Sequence, residues 1–492
     1  MNTTPLSTVI AGLPTETLTQ IPVELLETQV SSVTSDSREV QKNTLFVAIQ
    51  GTQHDGHDHI DAAVKKGALL VFGEKSPSQS NPPYVHVANS RLTLAHLAAN
   101  FYGNPSHSML VIGVTGTSGK TTTTYLLESI LNTAQYKTGV IGTVNIRYGK
   151  KIQPSDLTTP GPVEIQKLLS TMKAEGCTAV VMEVSSHALK QDRTARIAYD
   201  AVIFTNLSPE HQDFHPDMED YFLSKQKLFT QSVKESTDAG KTVIAAINEV
   251  DPYGERLLHS LESHKLILIP FGSHTTLDQL KYSASGISGE NFQSHLIGRF
   301  NASNILGAIA VAQGLQIGKI SEGISALKQV PGRLEPVPNS KGIHVWVDYA
   351  HKPEALKMVL ETLQTFKQKN RLITVFGCGG DRDRKKRPLM GKYAVELSDF
   401  AIITSDNPRT EDPKQIIDEI LEGTKGFRNY SVEPDRKKAI YSAIKMARTG
   451  DHILIAGKGH EDYQMIADPH AQGKTIKIHL SDKEIAKEAL HS

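Results

Sequence analysis

A run of apolar residues that passes into a glycine-rich turn limits the fold of this chain more than any other segment. Residues 109–114 predict a buried strand, and residues 121–131 predict a helix because their apolar side chains recur at helical spacing. The turn between them reads Gly116-Thr117-Ser118-Gly119-Lys120-Thr121-Thr122. Backbone N–H groups of such a turn, at the positive end of a helix, bind phosphate oxygens, while Lys120 reaches the β- and γ-phosphates and the Thr121 hydroxyl can bind Mg²⁺. The segment therefore predicts a phosphate-binding loop for ATP.

This loop departs from the general phosphate-loop pattern at one position. The pattern places a glycine five residues before Gly119, where this chain has Val114. A glycine-rich turn that only joins a strand to a helix is the alternative interpretation. The Lys-Thr pair directly after the second glycine, between a strand and a helix, favours phosphate binding.

The length of 492 residues predicts about three domains. Residues 1–107 predict a small mixed α/β domain, and residues 108–335 predict a central domain with a doubly wound, mainly parallel sheet that carries the phosphate loop. Residues 336–492 predict a Rossmann-like α/β domain. Turns rich in Gly, Pro and Asn near residues 103–106 and 331–336 mark the two boundaries.

Two polar side chains in the central domain follow predicted strands. Glu183 comes directly after the apolar strand at residues 178–182, and His211 follows the strand at residues 201–204. Because the carboxyl ends of parallel strands meet at one edge of a sheet, and phosphate-loop enzymes place an acidic group near Mg²⁺ there, both are candidates for a metal or phosphate site. A lone histidine is usually structural, but several polar groups at one edge favour a site.

The third domain repeats the pattern of strand followed by a Gly- or Asp-rich loop, but it has no second phosphate loop. It is therefore predicted to bind the acceptor substrate. Residues 381–387 alternate acids and bases, which predicts an anion-binding loop with solvated charges in preference to a nucleic-acid patch. No Ser/His/Asp or Cys/His arrangement supplies a protein nucleophile. From the residues alone, the chain is predicted to be an ATP-dependent transferase or ligase.

Charge and cysteine usage exclude other classes. Lys+Arg and Asp+Glu are both 53, so the chain is not predicted to coat nucleic acid or a membrane surface. Cys177 and Cys378 are far apart, which predicts reduced core residues without zinc or a disulfide. No long apolar segment or secretory leader is evident, so we expect a cytoplasmic monomer that acts on small molecules.

Several blocks, in order along the whole chain, resemble the Mur ligase family. They are the phosphate loop, Glu183-Val184-Ser185-Ser186-His187, Thr205-Asn206-Leu207-Ser208, Gly298-Arg299-Phe300-Asn301, Asp348-Tyr349-Ala350-His351 and Gly379-Gly380-Asp381-Arg382-Asp383. Within the family, the chain resembles members that add a diamino acid to UDP-N-acetylmuramoyl-L-alanyl-D-glutamate. The resemblance implies an ATP- and Mg²⁺-dependent amide ligase of cytoplasmic peptidoglycan precursor synthesis that forms an acyl phosphate.

The block Asp406-Asn407-Pro408-Arg409 resembles the form specific for meso-diaminopimelate. Diaminopimelate differs from lysine by a distal carboxylate, which the Arg409 fork can bind bidentately. The same block is also compatible with a turn and helix cap. A lysine-adding ligase and a folylpolyglutamate-synthetase-like ligase remain the alternatives.

The resemblance also implies roles for individual residues. The implied catalytic residues are Lys120, Glu183, His211 and Lys225, and the implied Mg²⁺ ligands are Thr121, Glu183, His211 and Lys225 as a carbamate. The implied ATP residues are Gly116 to Thr122 with Asn301, Arg333, Asp348 and His351, the last four in a closed state. The implied contacts to the nucleotide-sugar substrate are Ser35, Ser37, Thr52, Gln53, His54, Thr158, Thr159, Ser185, Gln191 and Arg193. The implied diaminopimelate residues are Arg382, Asp406, Asn407, Pro408, Arg409, Gly457 and Glu461.

Two of the implied roles disagree with what the local sequence predicts. Composition alone predicts Lys225 to be a solvated residue on a helix at residues 221–229, and only the resemblance implies its carbamylation. Pro160 and Gly161 after Thr158-Thr159 depart from the commoner Thr-Thr-Gly form, which weakens the sugar contacts implied for that loop. The polar loops at residues 35–38 and 51–57 are, taken alone, ordinary turns.

Overall fold

The computed structural model describes residues 3–51, 54–75, 83–261, 266–471 and 473–492. The chain forms two compact units, one of Met1–Gly272 with Leu306–Ile320 and the other of Ser273–Ile305 with Ser321–Ser492. Among the described residues, no helix is long and apolar enough to cross a membrane. The domain boundaries predicted at residues 107/108 and 335/336 stay predictions of the sequence.

The amino-terminal part of the first unit is a small sheet covered by one long helix. Its elements are β1 Thr4–Pro5, α1 Leu6–Val9, α2 Thr15–Leu18, β2 Gln29–Val30, β3 Ser32–Thr34, β4 Thr44–Val47, α3 Ile60–Lys65, β5 Ala68–Gly73, β6 Tyr84–His86 and α4 Ser90–Phe101, with 3₁₀ turns at Val23–Leu25 and Gly56–His59. β3 to β6 are parallel and follow one another in chain order. Asn89 caps α4 by accepting the Leu92 N–H (3.0 Å), and Leu94 and Leu97 of that helix join the core.

The rest of the first unit is built on an eight-stranded sheet. Its elements are a 3₁₀ turn at Pro105–Ser108, β7 Leu110–Thr115, α5 Lys120–Thr133, β8 Thr138–Ile141, β9 Ile146–Tyr148, β10 Lys151–Gln153, α6 Pro162–Ala174, β11 Ala179–Glu183, α7 Ser186–Lys190, β12 Ala201–Phe204, α8 Met218–Gln226, α9 Gln231–Asp238, β13 Ile244–Asn248, α10 Pro252–Leu261 and β14 Ile267–Phe271. The strand order is β10-β9-β8-β11-β7-β12-β13-β14, parallel except for β9 and β10. β7, β11, β12 and β13 are buried along their length, as parallel strands covered on two faces require.

The second unit contains a six-stranded sheet. Its elements are α11 His274–Asp278, β15 Lys281–Ser283, β16 Gly286–Ser288, β17 Gln293–Ser294, α12 Arg299–Gly314, α13 Ile320–Ala326, β18 Glu335–Pro336, β19 His344–Asp348, α14 Pro353–Phe366, β20 Leu372–Phe376, α15 Lys386–Leu397, β21 Phe400–Ile403, α16 Pro413–Leu421, a 3₁₀ turn at Glu422–Thr424, β22 Tyr430–Val432, α17 Arg436–Met446, β23 His452–Ala456, β24 Tyr463–Ala467, β25 Thr475–His479 and α18 Asp482–His491. The order is β18-β19-β23-β20-β21-β22, parallel except at β18. α12 begins in this unit, and its part from Leu306 belongs to the first.

The predicted fold class is confirmed, with differences at particular elements. The mainly parallel sheets, the strand–turn–helix of the phosphate loop and the second α/β sheet all occur. The helix predicted at residues 221–229 is instead Met218–Gln226, because Asp217 accepts the Asp220 N–H (2.8 Å) and caps the helix earlier. Sequence reasoning did not predict the hairpins β9–β10 and β24–β25, whose strands are short and partly exposed. Cys177 and Cys378 are buried free thiols, as expected.

Candidate active site

The loop after β7 has the backbone of a phosphate-binding turn. Gly116 and Gly119 have positive φ angles of 147° and 87°, which glycine adopts without strain. A Cβ atom at Gly116 would lie 1.8 Å from Thr205 Oγ1, so no larger residue fits. Thr205 Oγ1 donates a hydrogen bond to the Ser118 carbonyl (2.6 Å), which ties the loop to the end of β12. The N-terminus of α5 follows the loop directly, so its first N–H groups and the positive end of its dipole lie at the loop.

Two lysine side chains meet at this loop. Lys120 Nζ donates to the Gly116 carbonyl at 2.8 Å, and Lys225 Nζ donates to the same oxygen at 2.9 Å. Lys225 is 1% exposed and its ammonium lies 4.8 Å from the Tyr221 ring centroid. The composition-based prediction of a solvated Lys225 is therefore wrong, because α8 turns this residue inward. Two ammonium groups at one buried oxygen make the loop strongly cationic and suited to an anion.

Glu183 is the last residue of β11 and is 1% exposed. Thr121 Oγ1 donates to its Oε2 at 3.2 Å. Thr143 donates to both carboxylate oxygens, with its backbone N–H to Oε1 and its hydroxyl to Oε2, each at 2.9 Å. The structure thus brings Glu183 to the first turn of α5, where a hydroxyl and a carboxylate stand together.

His211 lies beyond the end of β12, in a left-handed backbone conformation with φ of 56°. Its Nε2 is 3.1 Å from Glu210 Oε1, and its ring packs edge-on against His187 at 4.6 Å between centroids. Burial lowers the pKa of the His187 imidazole, which favours the neutral ring. Among the described residues, no group of three His, Cys, Asp or Glu side chains is arranged to bind a metal ion. Of the four predicted metal ligands, the structure joins Thr121 directly to Glu183.

A cavity of about 660 Å³ in the first unit collects half of the predicted nucleotide-sugar contacts. Ser35, Ser37, His54, Gln191 and Arg193 all line it. A volume of this size is typical of a small-molecule site. Thr52 and Gln53 lie outside the described residues. Arg38, His59 and Arg91 also line the cavity and were not predicted, although their positive or titratable side chains beside the two serine-containing loops were a usable signal.

The remaining predicted sugar-substrate residues have structural partners of their own. Thr158 Oγ1 and Thr143 Oγ1 are 3.0 Å apart, and Thr159 Oγ1 donates to the Glu183 carbonyl at 2.8 Å. Ser185 Oγ accepts the Ala188 N–H at 3.2 Å, so it caps α7. Arg193 donates to Gln191 Oε1 at 2.9 and 2.6 Å, which links two cavity residues. These contacts fix the loop next to Glu183.

The predicted nucleotide residues of the second unit surround β19. Asn301 and Arg333 line a cavity of about 230 Å³, together with the exposed Lys328 and the buried Trp346. The Arg333 guanidinium lies 4.8 Å from the centroid of the Tyr349 ring. Asp348, at the end of β19, accepts the N–H groups of Leu334 (2.6 Å) and Ala350 (2.8 Å).

Burial affects the pKa of Asp348, and a hydrogen bond orients the ring of His351. Burial raises the pKa of the Asp348 carboxyl, although Arg333 acts in the opposite direction. His351 Nδ1 is 2.7 Å from the Tyr349 carbonyl, which can only accept, so this nitrogen carries a proton and donates. Lys386 Nζ donates to the His351 carbonyl at 2.9 Å.

The predicted acceptor residues lie at the carboxyl ends of β21 and β23. Asn407 Nδ2 donates to Glu461 Oε2 (3.0 Å), and Asn407 Oδ1 accepts from Lys458 Nζ (3.1 Å). Asp406 Oδ2 is buried and has no hydrogen-bond partner among the described residues. Gly457 adjoins it, since a Cβ there would be 2.5 Å from Asp406 Oδ2. The structure therefore brings two carboxylates, an amide and a close glycine backbone together.

Arg409 belongs to the same loop and adopts φ of 53°. Its backbone N–H donates to the Met465 carbonyl of β24 (3.0 Å), and its Nη1 donates to the Gly380 carbonyl (2.7 Å). Burial lowers the pKa of the Arg409 guanidinium, and nearby Arg382 adds to this effect. Arg382 itself is exposed and donates to the Asp381 carbonyl at 3.0 Å. Two neighbouring guanidinium groups with few carboxylate partners form a site for an added anion.

The interpretation of residues 381–387 as solvated charges is wrong at Arg387. This side chain is fully buried and donates to Glu411 (2.9 Å) and Glu419 (2.7 Å). Its partners come from α16 and the turn before it, more than twenty residues away in sequence. Arg387 therefore fixes α15 to α16 instead of facing solvent.

Comparisons with known proteins agree with this geometry. Residues 114–312 match the Mur ligase middle domain, residues 332–459 match the Mur ligase glutamate ligase domain, and residues 29–102 match the Mur ligase family catalytic domain. A Geobacter metallireducens protein named UDP-N-acetylmuramoyl-L-alanyl-D-glutamate–2,6-diaminopimelate ligase is 43% identical over 491 residues, which cover 93% of this chain and 94% of the relative. The chain belongs to the Mur ligase family. A Geobacter sulfurreducens protein of the same name is 42% identical over 498 residues, 95% of this chain and 96% of the relative. A solved structure titled with that ligase name has a TM-score of 0.69 at 27% identity, covering 100% of this chain and 99% of that one.

Sequence reasoning missed three residues of this Mur ligase site. Thr143 bonds Glu183, and its position just after β8 was a usable signal because β8 lies next to β11. His215 is 1% exposed and its ring nitrogens bond Asp220 (2.5 Å) and Ser186 (3.0 Å), but no spacing in the sequence indicates those partners. Lys458 is fully buried between Asn407 and Glu461, and the glycines on either side of it were the available signal.

Proposed function

We propose that this Mur ligase is the ATP-dependent enzyme that adds meso-2,6-diaminopimelate to UDP-N-acetylmuramoyl-L-alanyl-D-glutamate in peptidoglycan precursor synthesis. The observation that carries the proposal is the acceptor site, where the half-buried Arg409 guanidinium stands beside Asp406, Asn407 and Glu461. A diamino acid with two carboxylates offers an anion to Arg409 and ammonium groups to the carboxylates. The names of the two relatives support the same substrate pair.

The reaction activates the terminal D-glutamate carboxylate of the nucleotide-sugar dipeptide. A carboxylate oxygen attacks the γ-phosphorus of ATP, ADP leaves, and an acyl phosphate forms. The diaminopimelate amine then attacks the acyl carbon, loses its proton, and expels phosphate to leave an amide. Lys120 and the N–H groups at the start of α5 stabilise the negative charge that grows on the phosphoryl oxygens.

The Thr121–Glu183 pair fits a Mg²⁺ ion, since it joins a hydroxyl and a buried carboxylate at a cationic, phosphate-binding loop. In the proposal, His211 and Lys225 as a carbamate complete the ligand set, and the ion supplies charge neutralisation of the nucleotide phosphates when bound. Carbamylation is the addition of the neutral Lys225 amine to CO₂ with loss of a proton, and it would turn a side chain that donates to Gly116 into a carbamate anion that could bind Mg²⁺.

The substrates occupy the two cavities in this proposal. The uridine end of the nucleotide sugar binds in the 660 Å³ cavity, where Ser35, Ser37 and His54 offer hydrogen bonds and Arg193 offers a positive charge. Asn301 and Arg333 contact the nucleotide in the 230 Å³ cavity. Asp348 bonds the N–H of Leu334, which lines that cavity, and with His351 it is proposed to contact the nucleotide in the closed state.

A lysine-adding ligase is the nearest alternative, and one experiment separates the two. Phosphate release is measured with ATP and the UDP-muramoyl dipeptide, with either meso-diaminopimelate or L-lysine as acceptor. We expect strong stimulation by diaminopimelate alone, because lysine would leave the desolvated Arg409 guanidinium unpaired, at a cost of roughly 2–3 kcal/mol. Preference for lysine would keep the ligase mechanism and remove the proposed acceptor.

Thr143→Val tests the proposed metal role of Glu183. Valine keeps the shape of threonine but removes the hydroxyl that donates to Glu183 Oε2, so the carboxylate loses one of its orienting contacts. We expect Mn²⁺ affinity of the ADP-bound enzyme, measured by electron paramagnetic resonance, to fall about tenfold. Thr138→Val is the matched control, since Thr138 is the first residue of β8, the strand before Thr143, and its hydroxyl has no partner among the described residues. Unchanged Mn²⁺ affinity in Thr143→Val would remove the role.

A further inference from the structure

Arg436 is a fully buried arginine below the acceptor site. It is the first residue of α17, and its side chain is 0% exposed. Its Nε and Nη2 donate to the two oxygens of Asp482, each at 2.7 Å, in a bidentate pair. Asp482 is also 0% exposed and is the first residue of α18, where the helix dipole stabilises a negative charge. The two buried charges therefore balance each other. The ion pair does not account for all hydrogen bonds of the guanidinium.

The other contacts of Arg436 go to the backbone of the acceptor loops. Its Nη2 donates to the Ala456 carbonyl (2.9 Å) and its Nη1 donates to the Ser405 carbonyl (3.3 Å). Ala456 directly precedes Gly457, and Ser405 directly precedes Asp406. One planar group thus spans the carboxyl ends of β21 and β23, at the peptide units before two proposed diaminopimelate contacts.

The positive charge of Arg436 is at an unfavourable position for α17, because it is the first residue of the helix. A cation at the first residue of a helix opposes the dipole, and a buried ion pair is often no more stabilising than apolar residues of the same volume. Near the guanidinium, Asp406 Oδ2 is buried without a hydrogen-bond partner among the described residues, and the Gly457 Cβ position would lie 2.5 Å from this oxygen and 3.8 Å from Arg436 Nη2. A positive charge there stabilises an unpaired carboxylate whose free oxygen is left for a ligand.

We propose that Arg436, held by Asp482, is a positioning residue for the acceptor amino acid: it fixes the Ser405–Asp406 and Ala456–Gly457 peptides so that Asp406 and Gly457 meet the substrate. This inference rests on the proposed function. It concerns two residues that do not touch the substrate and that act through the loops they hold.

The same sheet contains a matched ion pair at its other end. Arg371 donates to Asp451 through Nε (3.0 Å) and Nη2 (2.6 Å), and also to the Met446 carbonyl (2.7 Å). Arg371 precedes β20 and Asp451 precedes β23, so this pair joins the amino ends of two adjacent parallel strands, at the opposite end of the strands from the acceptor loops. Arg371→Lys therefore reports what loss of a structural guanidinium does to this unit without touching the site.

The test compares Arg436→Lys with Arg371→Lys. Lysine keeps the charge opposite Asp482 but cannot also reach two carbonyls, because it lacks the planar fork. We expect the KM for diaminopimelate to rise about tenfold or more in Arg436→Lys, while the KM values for ATP and for the nucleotide-sugar dipeptide change less than about twofold. Arg371→Lys lowers the melting temperature without this selective change.

A second variant guards against a folding failure. Arg436→Met combined with Asp482→Leu replaces the buried pair by apolar side chains, which such sites often tolerate. It is expected to keep a cooperative thermal transition and show the same selective rise in diaminopimelate KM. An unchanged diaminopimelate KM in a folded variant, a parallel rise of all three KM values, or failure of both variants to fold would overturn the inference. Absence of turnover by the wild-type enzyme with diaminopimelate as acceptor would instead overturn the proposed function.

Discussion

Lys120→Ala is expected to abolish turnover. The Lys120 ammonium lies at the start of α5 and bonds the Gly116 and Thr117 carbonyls at 2.8 and 3.1 Å, so it is held over the phosphate loop in advance. Loss of a preorganised charge at a transferring phosphoryl group costs roughly 4 kcal/mol or more, so we expect kcat to fall at least about a thousandfold. The measurement is acceptor-dependent ADP release.

Two variants decide whether this loss is specific. Lys120→Arg keeps a positive charge but changes its shape, and is expected to recover little activity because the loop closes around a compact ammonium. Lys234→Ala removes an exposed lysine of α9 that forms an exposed ion pair with Asp238 at 2.6 Å, and should leave kcat unchanged. Retained turnover in Lys120→Ala would remove the phosphate-loop assignment, because a loop that binds the β- and γ-phosphates needs this ammonium.

The sequence predicted those parts of the structure that are local. The strand at Leu110–Thr115 and the helix at Lys120–Thr133 follow from apolar periodicity, and the turn between them follows from two glycines that need positive φ. Glu183 was placed correctly because a carboxyl end of a buried strand is a local feature. These features depend on residues that are adjacent in sequence, so they can be predicted without a structure.

Charged residues with distant partners could not be predicted in the same way. Lys225 appears in a polar stretch, yet it is buried because it bonds Gly116, more than a hundred residues earlier. Arg387 belongs to a run of charges and is buried against Glu411 and Glu419. A charged side chain is buried only where a partner compensates its desolvation, and the identity of that partner is a tertiary fact. Composition therefore gives the wrong answer at such positions.

The same limit applies to the acceptor site. The residues of the proposed site come from three segments. The Arg409 N–H donates to the Met465 carbonyl of the β24–β25 hairpin, which the sequence pattern did not predict. The Asp-Asn-Pro-Arg block indicated the loop, but the groups that hold the loop are the backbone carbonyls of Gly380 and Met465 and the side chain of Arg436. Motifs locate the groups that touch a substrate more readily than those that orient them.

Arg409→Ala is expected to weaken diaminopimelate far more than ATP. The guanidinium is half-buried, bonds the Gly380 carbonyl at 2.7 Å, and lies close enough to Arg382 for the two charges to repel. A substrate carboxylate relieves that repulsion and pairs the buried cation, so its loss should cost roughly 3 kcal/mol, or about a hundredfold in the KM for diaminopimelate. Alanine meets the same left-handed backbone penalty as arginine at φ of 53°, so this strain does not change.

The controls for Arg409→Ala separate carboxylate binding from loss of charge or fold. Arg428→Ala removes an exposed arginine of the same unit and should leave every KM unchanged. Arg409→Lys keeps the charge without the bidentate fork, so an intermediate diaminopimelate KM is expected. L-Lysine, which has no distal carboxylate, should be used better by Arg409→Ala than by wild type, because alanine removes the guanidinium that lysine leaves unpaired. Equal changes in the KM values for ATP and diaminopimelate would exclude Arg409 as the specificity residue and return the lysine-adding alternative.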